Sequence, residues 1–254
     1  MATIDFNTVP SGVALNEERV QYLSDRATET ATAFSRKIEK LQDTVRQARD
    51  NYSREADELI ASAASEDRAT ARAFAKKSAA NKAANLHRQL IASSEADRAA
   101  MLKGMKAYAD EAAAIAAVYT SPAAMLGRVA LGDPKRTQYQ IQLEGAGPVE
   151  LENAARTAIM TGDLVLGAAI VTVIDRRPKD RRPFMVQAFA ERVVGEVWKR
   201  LNGKLEGVQL AYKSAVAADR EFVRGKADPI TNLSLAIAGQ AIAEAAGDDE
   251  GGEV

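Results

Sequence analysis

Side chains able to do acid–base, nucleophilic or metal chemistry are few in this chain and widely spread. Its 254 residues include no cysteine and one histidine. That composition excludes disulfides, thiolate nucleophiles, iron–sulfur clusters and zinc sites built on several Cys or His ligands. His87 lies in KAANLHRQL. A helical Glu-x-x-His metal motif would need Glu at 84, where Ala84 stands, and no His-Glu-x-x-His occurs. As a base for a serine nucleophile, His87 would need an activating partner, yet no Gly-x-Ser-x-Gly turn is present. It reads as a histidine on a polar helix face. Neither the P-loop nor Gly-x-Gly-x-x-Gly occurs. The glycines of LEGAGP make a turn before a helix, read as a loop in preference to an anion site. Asp57 with Glu58, and Asp219 with Glu221, read as solvated helix charges. The expectation is a protein that is not an enzyme and uses no cofactor or metal.

The basic residues are better organised. Between Arg68 and Ser94 there is no acid, while Arg68, Arg72, Lys76, Lys77, Lys82 and Arg88 all occur. Arg68, Arg72 and Lys76 recur every fourth residue and share one helix face. Such a stripe suits nucleic-acid phosphates or an acidic protein surface. Few aromatics accompany it, so base stacking is not expected, and contact with DNA would be blind to sequence and sensitive to salt. A second cluster, Arg176, Arg177, Lys179, Arg181 and Arg182, forms a proline-bounded loop with Asp175 and Asp180 interleaved. The ordinary reading of both clusters is solubility, or docking against acids such as the tail of a neighbour. Charge is segregated along the chain: residues 175–226 carry +6 and residues 227–254 carry −6, within a formal net charge of −1.

The elements that must position these residues are mostly helical. No proline lies between Pro10 and Pro122, and the only glycines there are Gly12 and Gly104. Val20, Leu23, Ala27, Ala31, Phe34, Ile38, Leu41, Val45, Ala48, Tyr52, Ala56 and Leu59 follow at spacings of three or four. This narrow seam, of coiled-coil type, must be buried against another helix, in a hairpin of this chain or a bundle of several chains. Ser62–Asp67 is a predicted break, and a second is predicted at Ser93 and Ser94, where Ser94 and Asp97 have capping-box spacing. Without a break, residues 16–90 would form a rod of about 110 Å. Beyond the second break, Met101, Leu102, Met105, Tyr108, Ala112, Ile115 and Tyr119 give a further helical face.

The boundaries read as an extended arm over 1–15, a long-helix region over 16–121, a linker with a short strand over 122–147, a helical domain over 148–226, and a terminal helix with a disordered acidic tail over 227–254. In the linker, Tyr139, Ile141 and Leu143 alternate with glutamines, the period of a half-buried strand. Ile4 and Phe6 alternate in the same way near the start. An isolated two-stranded ribbon is marginal in water, so these segments are predicted to pair between subunits. Pro148 suits the first position of a helix running to Gly162. Asp163 is placed to cap LVLGAAIVTVI, whose β-branched end weakens the helical reading. A long helix is predicted from Phe184 to Arg224, with Gly195, Gly203 and Gly207 marking close contacts or a turn, and a last helix near Pro229.

The fold class expected is mostly α, with long helices as a hairpin or coiled coil in the N-terminal half, a short β connector and a C-terminal helical bundle. The most apolar run, Leu164–Ile174, is about half the ~20 residues needed to span a bilayer. The amino terminus lacks the basic and apolar regions of a secretory signal. A helix-turn-helix over 149–200 would put LVLGAAIVTVI in the recognition position, too apolar for a groove. The helix after Pro229 carries no Lys or Arg to attract anionic lipid. Roughly a fifth of the residues are alanine, and aromatics make up 5%. Alanine favours helix but buries little surface, which suits long, thin helices. In composition the chain resembles bacteriophage virion and scaffolding components, which are often alanine-rich, cysteine-free and helical. That resemblance implies a self-associating homo-oligomer that also meets other assembly proteins, at a head–tail junction or inside a capsid. The competing expectation is a sequence-nonspecific nucleic-acid-binding protein of the bacterial cytoplasm.

Overall fold

The computed structural model describes residues 16–247. Among them lie eight α-helices and no strand: α1 Glu17–Ser62, α2 Arg68–Val118, α3 Pro122–Leu126, α4 Pro134–Glu144, α5 Pro148–Thr161, α6 Leu164–Asp175, α7 Val186–Arg224 and α8 Pro229–Gly247. A 3₁₀ turn occupies Lys179–Arg181. The chain divides into two compact units. Of the described residues, one unit comprises those up to Ser24, Asp110–Gly207 and those from Gln240 to Gly247; the other comprises Asp25–Ala109 and Val208–Gly239.

In the second unit, α1 and α2 form an antiparallel hairpin. Lys37 Nζ reaches Asp97 Oδ2 at 2.7 Å and Lys82 Nζ reaches Glu55 Oε2 at 3.0 Å, so residue numbers rise on α1 as they fall on α2. The fold-back occurs at the first serine break, where Asp67 N–H donates to the Ala64 carbonyl. The second predicted break is absent, and α2 runs straight through Ser94. Ser94 Oγ donates to the Leu90 carbonyl at 2.6 Å and accepts from Arg98 Nε at 3.0 Å, while Asp97 turns to Lys37. Both supposed capping side chains are thus engaged elsewhere, and no helix start forms.

The apolar seam of α1 is covered within the chain. Phe34 and Ile38 pack with Met105 of α2 and with Ala215 and Phe222 of α7, joined by half-buried Ala31, Leu41, Leu90 and Tyr212. Three helices share one core here, so a two-stranded coiled coil is not what the seam makes. The stripe ends at Ala56; Leu59, the next member, is 60% exposed.

In the first unit, α6 is the centre. Ala168, Ala169, Ile170, Val171, Val173 and Ile174 are all buried, so the helix is covered on almost every side. It packs with Leu126 of α3, Leu151, Ala155 and Ala158 of α5, and Val186, Phe189, Ala190 and Val194 of α7. Asp163 Oδ1 accepts from the Val165 and Leu166 N–H groups and starts α6, as its position predicts. The cap and the surrounding core outweigh the modest penalty of the five β-branched residues Ile170–Ile174 near the end.

Residues 138–143 are helical, not extended. Asp133 caps α4 by accepting from Lys135 N–H at 2.8 Å, and Pro134 occupies its first turn. Tyr139 and Leu143 are four residues apart and lie half-buried on the side that also buries Arg136, whereas Ile141 is 69% exposed. The alternation with glutamines concealed a helical pair at i and i+4, and tertiary burial decides between the two periods. Strand pairing by Tyr139, Ile141 and Leu143 is therefore corrected to helix packing. Ile4 and Phe6 lie outside the described residues.

Candidate functional site

The second unit gathers basic side chains around the end of α7. At its C-terminus Gly225 adopts φ +67°, and its N–H donates to the Glu221 carbonyl at 2.8 Å. Glycine suits this left-handed stop because it carries no Cβ. His87 of α2 closes the same end. A carbonyl only accepts, so Nε2 carries the hydrogen shared with the Phe222 carbonyl at 2.8 Å. The imidazole also meets the Phe222 ring edge-on at 5.3 Å. A Cβ at 225 would stand 3.2 Å from His87 Cε1, so the ring fits because the residue is glycine. Among the described residues no carboxylate or hydroxyl bonds to His87. It serves as a helix-end cap, where the sequence suggested a bystander on a polar face.

Glu221 then fastens the turn into α8, with Oε1 accepting from Asp228 N–H at 2.6 Å and from Asn232 Nδ2 at 2.8 Å. Asp228 accepts from the Thr231 N–H and hydroxyl, and these bonds hold its carboxyl below the usual carboxylate range.

Three adjoining hollows surround this joint. One of about 300 Å³ lies along Arg46, Arg49, His87 and Lys226. A second of about 650 Å³ is lined by Ala79, Ala80, Ala83 and Ala84 together with Arg49, Asp57, Lys76 and Arg224. The third, of about 500 Å³, lies between α7 and α8 beside Lys213, Arg220, Arg224 and Lys226. The alanines make the largest hollow by leaving space between helices. Beneath the joint, buried Arg98 is held by Ser94 Oγ, the Ile91 carbonyl and the Asp219 carboxylate, with its guanidinium 5.3 Å from the Phe222 ring centre.

Of the basic residues singled out by sequence, Arg68, Arg72, Lys76, Lys77, Lys82 and Arg88 are all exposed on α2. Of these, Lys76 lines the second hollow. Lys82 is committed to Glu55 and lies over the Tyr52 ring at 5.4 Å. Lys77 and Arg88 fall on the opposite side of α2 from Arg68, Arg72 and Lys76, by the 100° turn per residue. In the second cluster, two arginines act structurally. Arg177 donates to the Ala146 carbonyl at 2.7 Å, and Arg182 to the Asp175 and Arg177 carbonyls at 2.9 and 3.1 Å. Arg176, Lys179 and Arg181 remain exposed. Sequence reasoning passed over Arg49, Arg224 and Lys226. The one available signal was the +6 tally of residues 175–226, to which Arg224 and Lys226 contribute.

A different basic group is buried in the first unit. Arg136 donates to the Val129 and Gly127 carbonyls at 2.5 and 2.8 Å and to Thr172 Oγ1 at 2.9 Å. Burial pushes its guanidinium below the usual value, and neutral acceptors satisfy it. Its work is to tie the α3–α4 connection to α6. Among the described residues no group of His, Asp and Glu could hold a metal ion, and no helix is long and apolar enough to cross a membrane.

Compared with protein-family models, curated proteins and solved structures, the chain matches none of them.

Proposed function

We propose that the protein is a non-catalytic assembly component that self-associates through helix packing. The observation that carries this reading is α8. Its half-buried side holds Thr231, Leu235 and Gly239, while Ile230, Leu233 and Ile237 stand 81%, 63% and 60% exposed. Their spacing of three and four residues makes one continuous apolar stripe, the pattern a helix presents to another helix. Burying each such side chain contributes about 1.5–3 kcal/mol before the entropy of association is deducted. A second copy of this chain is the partner of this reading, since the same stripe on two copies makes a self-complementary contact. The alanine-rich, cysteine-free helical composition supports a bacteriophage virion or scaffold as its setting.

Light scattering across micromolar concentrations tests the reading. Wild-type protein is expected to form oligomers, and replacing Ile230, Leu233 and Ile237 together by serine is expected to yield monomer of unchanged helicity. A wild-type chain that stays monomeric throughout refutes the proposal.

A further inference from the structure

The three hollows around the α7–α8 joint adjoin one another. Arg49, His87 and Gly225 line both the first and the second, Glu221 and Lys226 line the first and the third, and Arg224 lines the second and the third. Seven cations border them, namely Arg46, Arg49, Lys76, Lys213, Arg220, Arg224 and Lys226, against the carboxylates of Asp57, Glu221 and Asp228. Two of those carboxylates are engaged in fastening α8. Arg46 is paired with Asp43 at 2.7 Å. Among the described residues Arg49, Lys76, Lys213, Arg220, Arg224 and Lys226 make no ion pair within 4 Å, although Arg224 lies near enough to Asp228 to help hold its carboxyl below the usual range.

Compensating the end of α7 does not account for this excess. A helix C-terminus carries roughly half a negative charge, and one nearby cation answers it. Arg49 and Lys76 also come from other helices, converging on a hollow whose single carboxylate, Asp57, forms an ion pair with neither. The cations are spread over three hollows, so one compact anion would meet only a few of them. An extended chain of phosphates would meet them in succession. Hollows of 300–650 Å³ admit single phosphates and sugars but not a duplex.

We propose that this run of hollows binds the phosphodiester backbone of a single-stranded nucleic acid without regard to base sequence. This inference does not rest on self-association, and the two fail separately. Binding of a fluorescent oligothymidylate by anisotropy tests it. If four cations engage phosphates, the slope of log affinity against log salt is about −3, a loss of about 50-fold between roughly 50 and 200 mM salt. The double variant Arg49→Glu/Lys76→Glu is expected to bind at least tenfold more weakly. Arg49→Lys/Lys76→Arg, which keeps both charges, is expected to stay within about twofold, as is Arg176→Glu/Arg181→Glu, which alters the other basic cluster. Inorganic polyphosphate should compete, and inorganic phosphate should not at equal phosphate concentration. Circular dichroism checks that each variant remains helical. Should the glutamate pair unfold, Arg49→Gln/Lys76→Gln, expected to weaken binding severalfold, decides. No binding at the lower salt, equal loss in the Arg176/Arg181 variant, unchanged binding in the groove variant, or a duplex bound as tightly as the single strand overturns the proposal.

Discussion

Asp219→Ala is expected to be among the most destabilising single changes in the second unit. Its partner Arg98 is 4% exposed, and Asp219 itself is 21% exposed. The carboxylate is the counter-charge; the remaining partners of the guanidinium, Ser94 Oγ at 3.0 Å and the Ile91 carbonyl at 3.2 Å, are neutral. Removing Asp219 therefore deletes a charge-assisted hydrogen bond and leaves a cation among Phe222 and the helices around it. Breaking a buried pair from one side costs about 3–5 kcal/mol, and the partial exposure of Asp219 places this case near the lower figure. Replacing both partners, as Arg98→Met/Asp219→Ala, removes the stranded charge and fills most of its volume, so the double variant should lie within about 1–2 kcal/mol of wild type. With Arg98→Met alone costing about 1 kcal/mol, since the Asp219 carboxylate it leaves behind is partly solvated, the coupling energy is about 2–3 kcal/mol. Urea unfolding of the wild type, both single variants and the double variant, followed by far-UV circular dichroism, measures it as a double-mutant cycle. The coupling should persist at high salt, because a pair this sheltered is little screened. Costs that add within about 0.5 kcal/mol, or an Asp219→Ala cost below about 1 kcal/mol, would refute the assignment of Arg98 as a charge held by Asp219.

Two further changes probe the caps. Gly225→Ala should destabilise the second unit by about 1 kcal/mol or more, since the residue sits at φ +67° and the new Cβ would press on His87 at 3.2 Å; thermal melting no lower than wild type would count against the His87–Gly225 fit. Asp163→Ala should cost about 1 kcal/mol at neutral pH through loss of the α6 cap. The bond from the Leu166 N–H, then the Lys135 ammonium, hold the Asp163 carboxyl below its usual range. Its folded value is therefore the lower one, so its stabilisation is complete above the unfolded value of about 3.9 and is lost as pH falls through the folded one. The gap between wild type and variant in acid unfolding should narrow accordingly below about pH 4; a gap that widens there contradicts the sign.

How far the fold was legible depends on how local its determinants are. Pro148, Gly162 and Asp163 act on backbone within a turn of themselves, and the helices they begin or end stand where predicted. Ser94 and Asp97 also match a local signal, but Arg98 and Lys37 compete for the same oxygens, and a capping pattern counts only if its side chains are free. Tyr139, Ile141 and Leu143 satisfy either period. Only burial in the folded chain, of Arg136 fully and of Tyr139 and Leu143 by half, shows which face of α4 turns inward. The site was harder still: Arg49, Lys76 and Arg224 lie on three helices far apart in sequence, and no spacing rule relates them.

The sequence by itself determined that this chain would be helical, that alanine would keep its helices slender, and that chemistry based on cysteine or several histidines was excluded. Those properties follow from composition and nearest-neighbour spacing. Tertiary structure alone decided that the α1 seam would be covered by α2 and α7, that His87 would cap a helix end across the core, and that cations from separate helices would line one hollow. Each depends on which helices become neighbours, and that is set by packing over the whole unit, not by any segment read alone.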